Sequence, residues 1–167
     1  MARYATIYGI VSSISPFNTS VSDHTCSLLF LVNTQNLGQV NFIVSPQTYV
    51  LEQNTFQPGQ TIVAIYDTSV PVALIYPPQY RAVIVAKNDD GYMAALDYFD
   101  EDLLNISQNM QLNIPEDGTT SVLLSNGQNF LYNPGGHYLF VLYMFGSDDI
   151  PEVITPQKVI VFCSPTE

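Results

Sequence analysis

Val, Ile, Leu, Tyr, Phe and Thr gather along this chain into short runs, and between the runs stand clusters of Gly, Pro, Asn and Asp. Runs that short and that rich in β-branched and aromatic side chains read as strands, and the clusters read as turns. In the first half the pattern predicts strands near Tyr4–Ile14, Thr25–Asn33, Gln39–Ser45, Thr61–Asp67 and Arg81–Ala86, with Val72–Tyr76 as a short added piece. In the second half they fall near Tyr92–Phe99, Met110–Ile114, Thr119–Ser125, His137–Phe145 and Lys158–Cys163. Pro16, Pro46, Pro115 and Pro165 stand just outside these runs, where a missing N–H breaks no ladder. One helical turn is expected at Asp100–Leu104, capped by Asp100, with acids at the favourable end of its dipole.

The halves repeat each other. Ser45, Pro58-Gly59, Tyr66, Pro71, Pro78-Gln79 and Val83-Ile84-Val85 recur in the same order as Ser125, Pro134-Gly135, Tyr143, Pro151, Pro156-Gln157 and Val159-Ile160-Val161, at offsets of 76 to 80. A duplicated unit explains matched residues at matched points of the strand pattern. The polar stretch Lys87-Asn88-Asp89-Asp90-Gly91 ends in a turn-forming Asp-Gly and marks the boundary, giving domains 1–87 and 88–167. About five strands in each half, a first strand interrupted by Gly9 and an irregular segment before the fourth strand predict an all-β chain of two tandem small five-stranded OB-like barrels. Gly9 would let the long strand bend and serve two sheets. Antiparallel β-sandwiches are the alternative with the same strand count.

Charge sharpens the division. Residues 1–88 hold Asp23, Glu52 and Asp67 against Arg3, Arg81 and Lys87, whereas residues 89–167 hold the other twelve acids against Lys158 alone. The net charge of -11 therefore belongs wholly to the second half. Such a surface disfavours phosphate and anionic membranes, and four basic residues cannot line a groove for single-stranded nucleic acid. The longest apolar stretches, Leu28–Val32 and Tyr138–Phe145, fall well short of the roughly 18 to 20 residues of a spanning helix. The N-terminal residues lack a signal-peptide pattern, which makes the cytoplasm the default expectation.

Chemistry-bearing motifs are few. Nucleophile elbows, dinucleotide and phosphate loops and His-Glu-x-x-His are absent, and general-base chemistry would rest on His24, His137 or a carboxylate. Both histidines read as structural or solvated. Cys26 and Cys163 sit in apolar strand contexts and are expected as buried thiols rather than as a disulfide. Asp97, Asp100 and Asp102, with the pairs Asp89-Asp90, Glu116-Asp117 and Asp148-Asp149, offer oxygens for calcium but without EF-hand spacing, so a solvated surface is the plainer reading. The same three aspartates are the candidates for a carboxylate-dependent hydrolase. The sequons Asn18-Thr19-Ser20 and Asn105-Ile106-Ser107 carry no assignment in a chain this rich in Asn, Ser and Thr.

The first half is unusual in being almost without charge, so amides, hydroxyls and tyrosines must cover it. Tyrosine joins an apolar ring to a hydroxyl at small entropic cost and is favoured at interfaces. Tyr49, Tyr66, Tyr76, Gln79 and Tyr80 are the candidate ligand-binding residues. The segment Val40–Val50, then Pro58-Gly59-Gln60, then Tyr76-Pro77-Pro78-Gln79-Tyr80-Arg81-Ala82, resembles a family of uncharacterised tandem OB-like proteins from Gram-positive anaerobes. That resemblance implies no activity. The expectation is a non-enzymatic binding or assembly module without a cofactor, calcium being the one candidate, engaging a protein, a glycan or a second copy through the first half.

Overall fold

A computed structural model describes residues 3–17 and 26–163. His24, the Asn18 sequon and Pro165 lie outside the described residues. The chain divides into two compact units, Ala5–Asp90 and Gly91–Glu167 with Met1–Tyr4.

The first unit holds β1 (Tyr4–Pro16), β2 (Leu28–Thr34), β3 (Gln39–Val44), β4 (Tyr49–Val50), β5 (Thr61–Asp67) and β6 (Gln79–Lys87). Five of these follow the order β3-β2-β1-β5-β6, and β6 returns to β3 in parallel, pairing Phe42 with Tyr80, so the barrel closes. Alternation along the strands sends Ile7, Val11, Phe30, Val32, Val40, Phe42, Ile62, Ala64, Ala82 and Val85 into one core. A fully buried side chain of that size contributes about 1.5 to 3 kcal/mol by leaving water. β1 carries a register shift between Val11 and Ser13, and Gly9 serves a close approach to β2. A Cβ there would lie 2.5 Å from the Asn33 carbonyl oxygen and 2.6 Å from Val32 Cγ1, so glycine lets the antiparallel partner β2 lie this close. Short β4 runs parallel to β6 at Ile84 and Val85, and a 3-10 turn at Leu51–Gln53 follows it with Leu51 buried.

The second unit holds β7 (Met93–Phe99), β8 (Met110–Leu112), β9 (Ser121–Leu124), β10 (His137–Tyr143), β11 (Glu152–Ile154) and β12 (Lys158–Phe162). Its main sheet has the order β7-β10-β12-β9, with β9 and β12 parallel and the other pairs antiparallel. The first unit has the same sequence of neighbours in β1-β5-β6-β3. The second unit stops there. Where β3 pairs onward with β2, β9 instead takes its own returning chain: Leu124 N–H donates to the Gln128 carbonyl at 2.7 Å and Phe130 N–H to the Val122 carbonyl at 2.9 Å. β8 forms a separate parallel pair with β11, and the core gathers Phe99, Met110, Leu112, Leu139, Val141, Tyr143, Ile154, Val159 and Val161.

Four local expectations change. Val72–Tyr76 forms no strand, since β5 and β6 are already paired along both edges and Pro71, Pro77 and Pro78 remove donors. Asp100–Leu104 forms a turn rather than a helix, because Leu103 takes φ +62°. Asp100 still caps it by accepting from Asp102 N–H at 2.9 Å and Leu104 N–H at 3.1 Å. Pro16 lies inside the end of β1, opposite Leu28. Cys26 and Cys163 are exposed thiols rather than buried ones, because each sits just beyond a strand end.

Candidate functional site

Tyr66 ends the inward-facing row of β5 and Tyr80 starts that of β6, and their rings stack at 4.1 Å with 18° between planes. Both pack on the barrel core, with Tyr80 tilted against Phe42 at 6.2 Å. Burial, then the neighbouring Tyr80 by charge and by hydrogen bond, raises the Tyr66 phenol above its ordinary value of 10.0. Gln79 precedes Tyr80 in β6 opposite Asn41. Tyr49 stands elsewhere, in β4 against Ile84, where burial and then the Glu52 carboxylate raise its phenol in turn.

Tyr76 belongs to the connection from β5 to β6 and is largely exposed. Its hydroxyl would lie 3.4 Å from a Cβ on Gly38, the glycine at φ +71° in the turn from β2 to β3. That places it at the turn that carries Leu37, itself 58% exposed. The connection carries a further row of uncovered apolar side chains, Val70, Val72, Leu74 and Ile75, with Leu74 fully exposed. Asp67 holds the start of this loop by accepting from Ser69 N–H at 2.9 Å and Ser69 Oγ at 2.6 Å. Sequence reasoning named Tyr76 and missed Val70, Leu74 and Leu37. An apolar run between prolines reads as a buried strand until the sheet edges are known to be occupied.

The three aspartates of the acidic run are held apart by separate duties. Asp97 is buried, with Oδ1 accepting from Tyr98 N–H at 2.8 Å and Oδ2 from Asn105 Nδ2 at 3.1 Å and Ser107 Oγ at 3.3 Å. Asp100 caps its turn, and Asp102 lies exposed on that turn. Among the described residues no three His, Cys, Asp or Glu side chains come together in a way that would hold a metal ion. Asn105 is buried as well: Nδ2 also donates to Asn109 Oδ1 at 2.7 Å, and Oδ1 accepts from the N–H groups of Asn109 and Met110 at 3.0 Å each. This sequon asparagine is therefore a structural hub. His137 Nδ1 lies 3.0 Å from the Pro134 carbonyl oxygen and 3.1 Å from that of Gly135, which ties the ring to its own turn.

Compared with protein-family models, curated proteins and solved structures, the chain matches none.

Proposed function

We propose that this protein is a non-enzymatic binding module whose first unit, an OB-type barrel, engages a partner protein through Leu37 and the loop Val70–Tyr76. The observation that carries the reading is the fully exposed Leu74, set in a run without ionised side chains and flanked by exposed Val72, Ile75 and Tyr76. Contiguous apolar groups left in water are stabilised by a partner that covers them, and the absence of charge from the run matches the charge-poor centre of protein interfaces.

Several features support the OB-type assignment: the strand order, the long bulged first strand and the parallel closure of third on last. In barrels of that type the connection between the last two strands flanks the binding face, and here that connection is the apolar loop. The usual oligonucleotide ligand is disfavoured because Arg3, Arg81 and Lys87 are the only Lys and Arg side chains in this half.

The test compares the full chain with the double variant Leu74→Asp, Ile75→Asp. Light scattering reads self-association, and affinity capture reads other partners. The wild type is expected to associate or to retain a protein, and the variant to lose at least about tenfold in affinity at unchanged melting temperature. A wild type that stays monomeric and retains nothing, or a variant that behaves identically, overturns the proposal.

A further inference from the structure

The second unit leaves a seam where its sheet does not close. Beside β9 lies an open cleft of about 840 Å³, and Ile114, Glu116, Asn129, Tyr132 and Asn133 are among the residues that line it. That volume lies within the range of small-ligand sites. We propose that this cleft is a binding site for an uncharged saccharide.

The first argument is the ring. Tyr132 is 82% exposed yet held in place, edge to face with Phe130 at 6.2 Å, and Phe130 in turn packs on the core and against His137 at 5.7 Å. An exposed ring on a braced support offers a flat apolar face, against which the C–H face of a pyranose can lie.

The second argument is the polar inventory. Asn133 Oδ1 is fixed by the Gly135 N–H at 2.7 Å, which leaves its Nδ2 pointing no donor at any described residue. The Asn129 side chain likewise makes no hydrogen bond among the described residues. Ser121 adds a hydroxyl and Glu116 the single carboxylate among the described lining residues. Amide, hydroxyl and carboxylate groups match the paired donor and acceptor character of sugar hydroxyls. Among the described residues the lining carries no Lys or Arg, so phosphate, sulfate or carboxylate ligands would find no counter-charge.

The third argument is rigidity, which lowers the cost of ordering a site on binding. Gly135 is pressed against the neighbouring turn, since a Cβ there would fall 2.6 Å from the Asp100 carbonyl oxygen, and Gly136 N–H donates to the Phe99 carbonyl at 2.8 Å. Next in sequence to the lining residues Glu116, Gly118 and Thr120, Asp117 Oδ1 accepts from the Thr119 N–H at 3.0 Å and from Thr119 Oγ1 at 2.9 Å. The turns that adjoin the lining on either side in sequence are therefore held before any ligand arrives.

The test titrates the full chain by calorimetry with neutral oligosaccharides of glucose, mannose, galactose, xylose and N-acetylglucosamine. At least one is expected to bind, equally at low and high salt, and equally in Leu74→Asp, so the outcome is independent of the protein-binding reading. Tyr132→Ala and Asn133→Ala are expected to lose at least about tenfold in affinity at wild-type melting temperature, while Tyr132→Phe keeps the ring and retains binding. The proposal is overturned if no sugar of the panel binds at millimolar concentration. Unchanged binding in Tyr132→Ala overturns it too, as does binding of a panel sugar that high salt abolishes.

Discussion

The two units share a run of four strand neighbours and part company at a single edge. In the first, β3 is taken by β2 and the sheet meets itself; in the second, β9 is taken by Gln128–Phe130, and β8 is left to pair with β11. Both edge strands are taken by a short hairpin, β3 by the strand before it and β9 by the chain after it, and only the first of these carries the sheet round to its own start. The closed unit stacks Tyr66 and Tyr80 against its core, whereas the open one carries a cleft beside β9.

The largest test of that contrast removes one phenyl ring from each core. Phe42 and Phe99 are both fully buried, and truncating either to Ala costs about 3 to 5 kcal/mol, with the value set by how far the surroundings collapse. Phe42→Ala is expected at the upper end because a barrel paired all round cannot settle inward, and Phe99→Ala at the lower end because Leu103, which packs near it, borders the open seam. Equal losses in denaturant melts would remove closure as the cause.

A smaller effect separates the strand crossings. Gly9→Ala must displace the Asn33 backbone or the Val32 side chain, at a cost of about 1 to 3 kcal/mol, and hydrogen exchange should speed up in β1 and β2. A substitution at open Gly127, where a Cβ meets nothing within 4 Å but φ is +88°, costs only the roughly 1 kcal/mol of backbone strain. A Gly9→Ala protein as stable as wild type would show that β2 can stand off from β1.

The smallest effect divides the units by pH. The Tyr66 and Tyr49 phenols are raised above 10.0, so the folded state holds their protons more tightly than the unfolded chain does. Their stabilisation is complete below the unfolded value and is lost as pH rises through the folded one. In the second unit Asp117 is lowered by the hydrogen bonds from Thr119, so its contribution is present above the unfolded value and fades as pH falls through the folded one. Tyr66→Phe is expected to flatten the alkaline limb of melting temperature against pH, and Asp117→Asn to flatten the acid limb slightly. A Tyr66→Phe profile that follows the wild type above pH 10.0 would detach that limb from the barrel.

Much of the architecture was legible along the chain because burial imposes a period of two. Thr61–Asp67 emerges with the predicted ends, and the runs at Gln39, Met110, His137 and Lys158 begin where their strands begin. The misses have one cause: periodicity reports what a residue would bury against, not whether an edge is vacant. Val72–Tyr76 looks like a strand and has no ladder to join, while β11 is short and mixed in composition and forms because β8 is available. The cleft was illegible for the same reason. Tyr132 and Asn133 become neighbours of Glu116 only because β9 turned to its own return chain, a choice made in three dimensions.

Asn105 bears on how this protein can be produced. Both protons of its amide nitrogen are spent on Asp97 and Asn109, and an N-linked sugar would replace one of them while forcing a bulky substituent into the interior. A yeast or mammalian secretory host, which modifies such sites as the polypeptide enters the endoplasmic reticulum, would therefore be working against folding, and bacterial expression is the better route to material for crystallography.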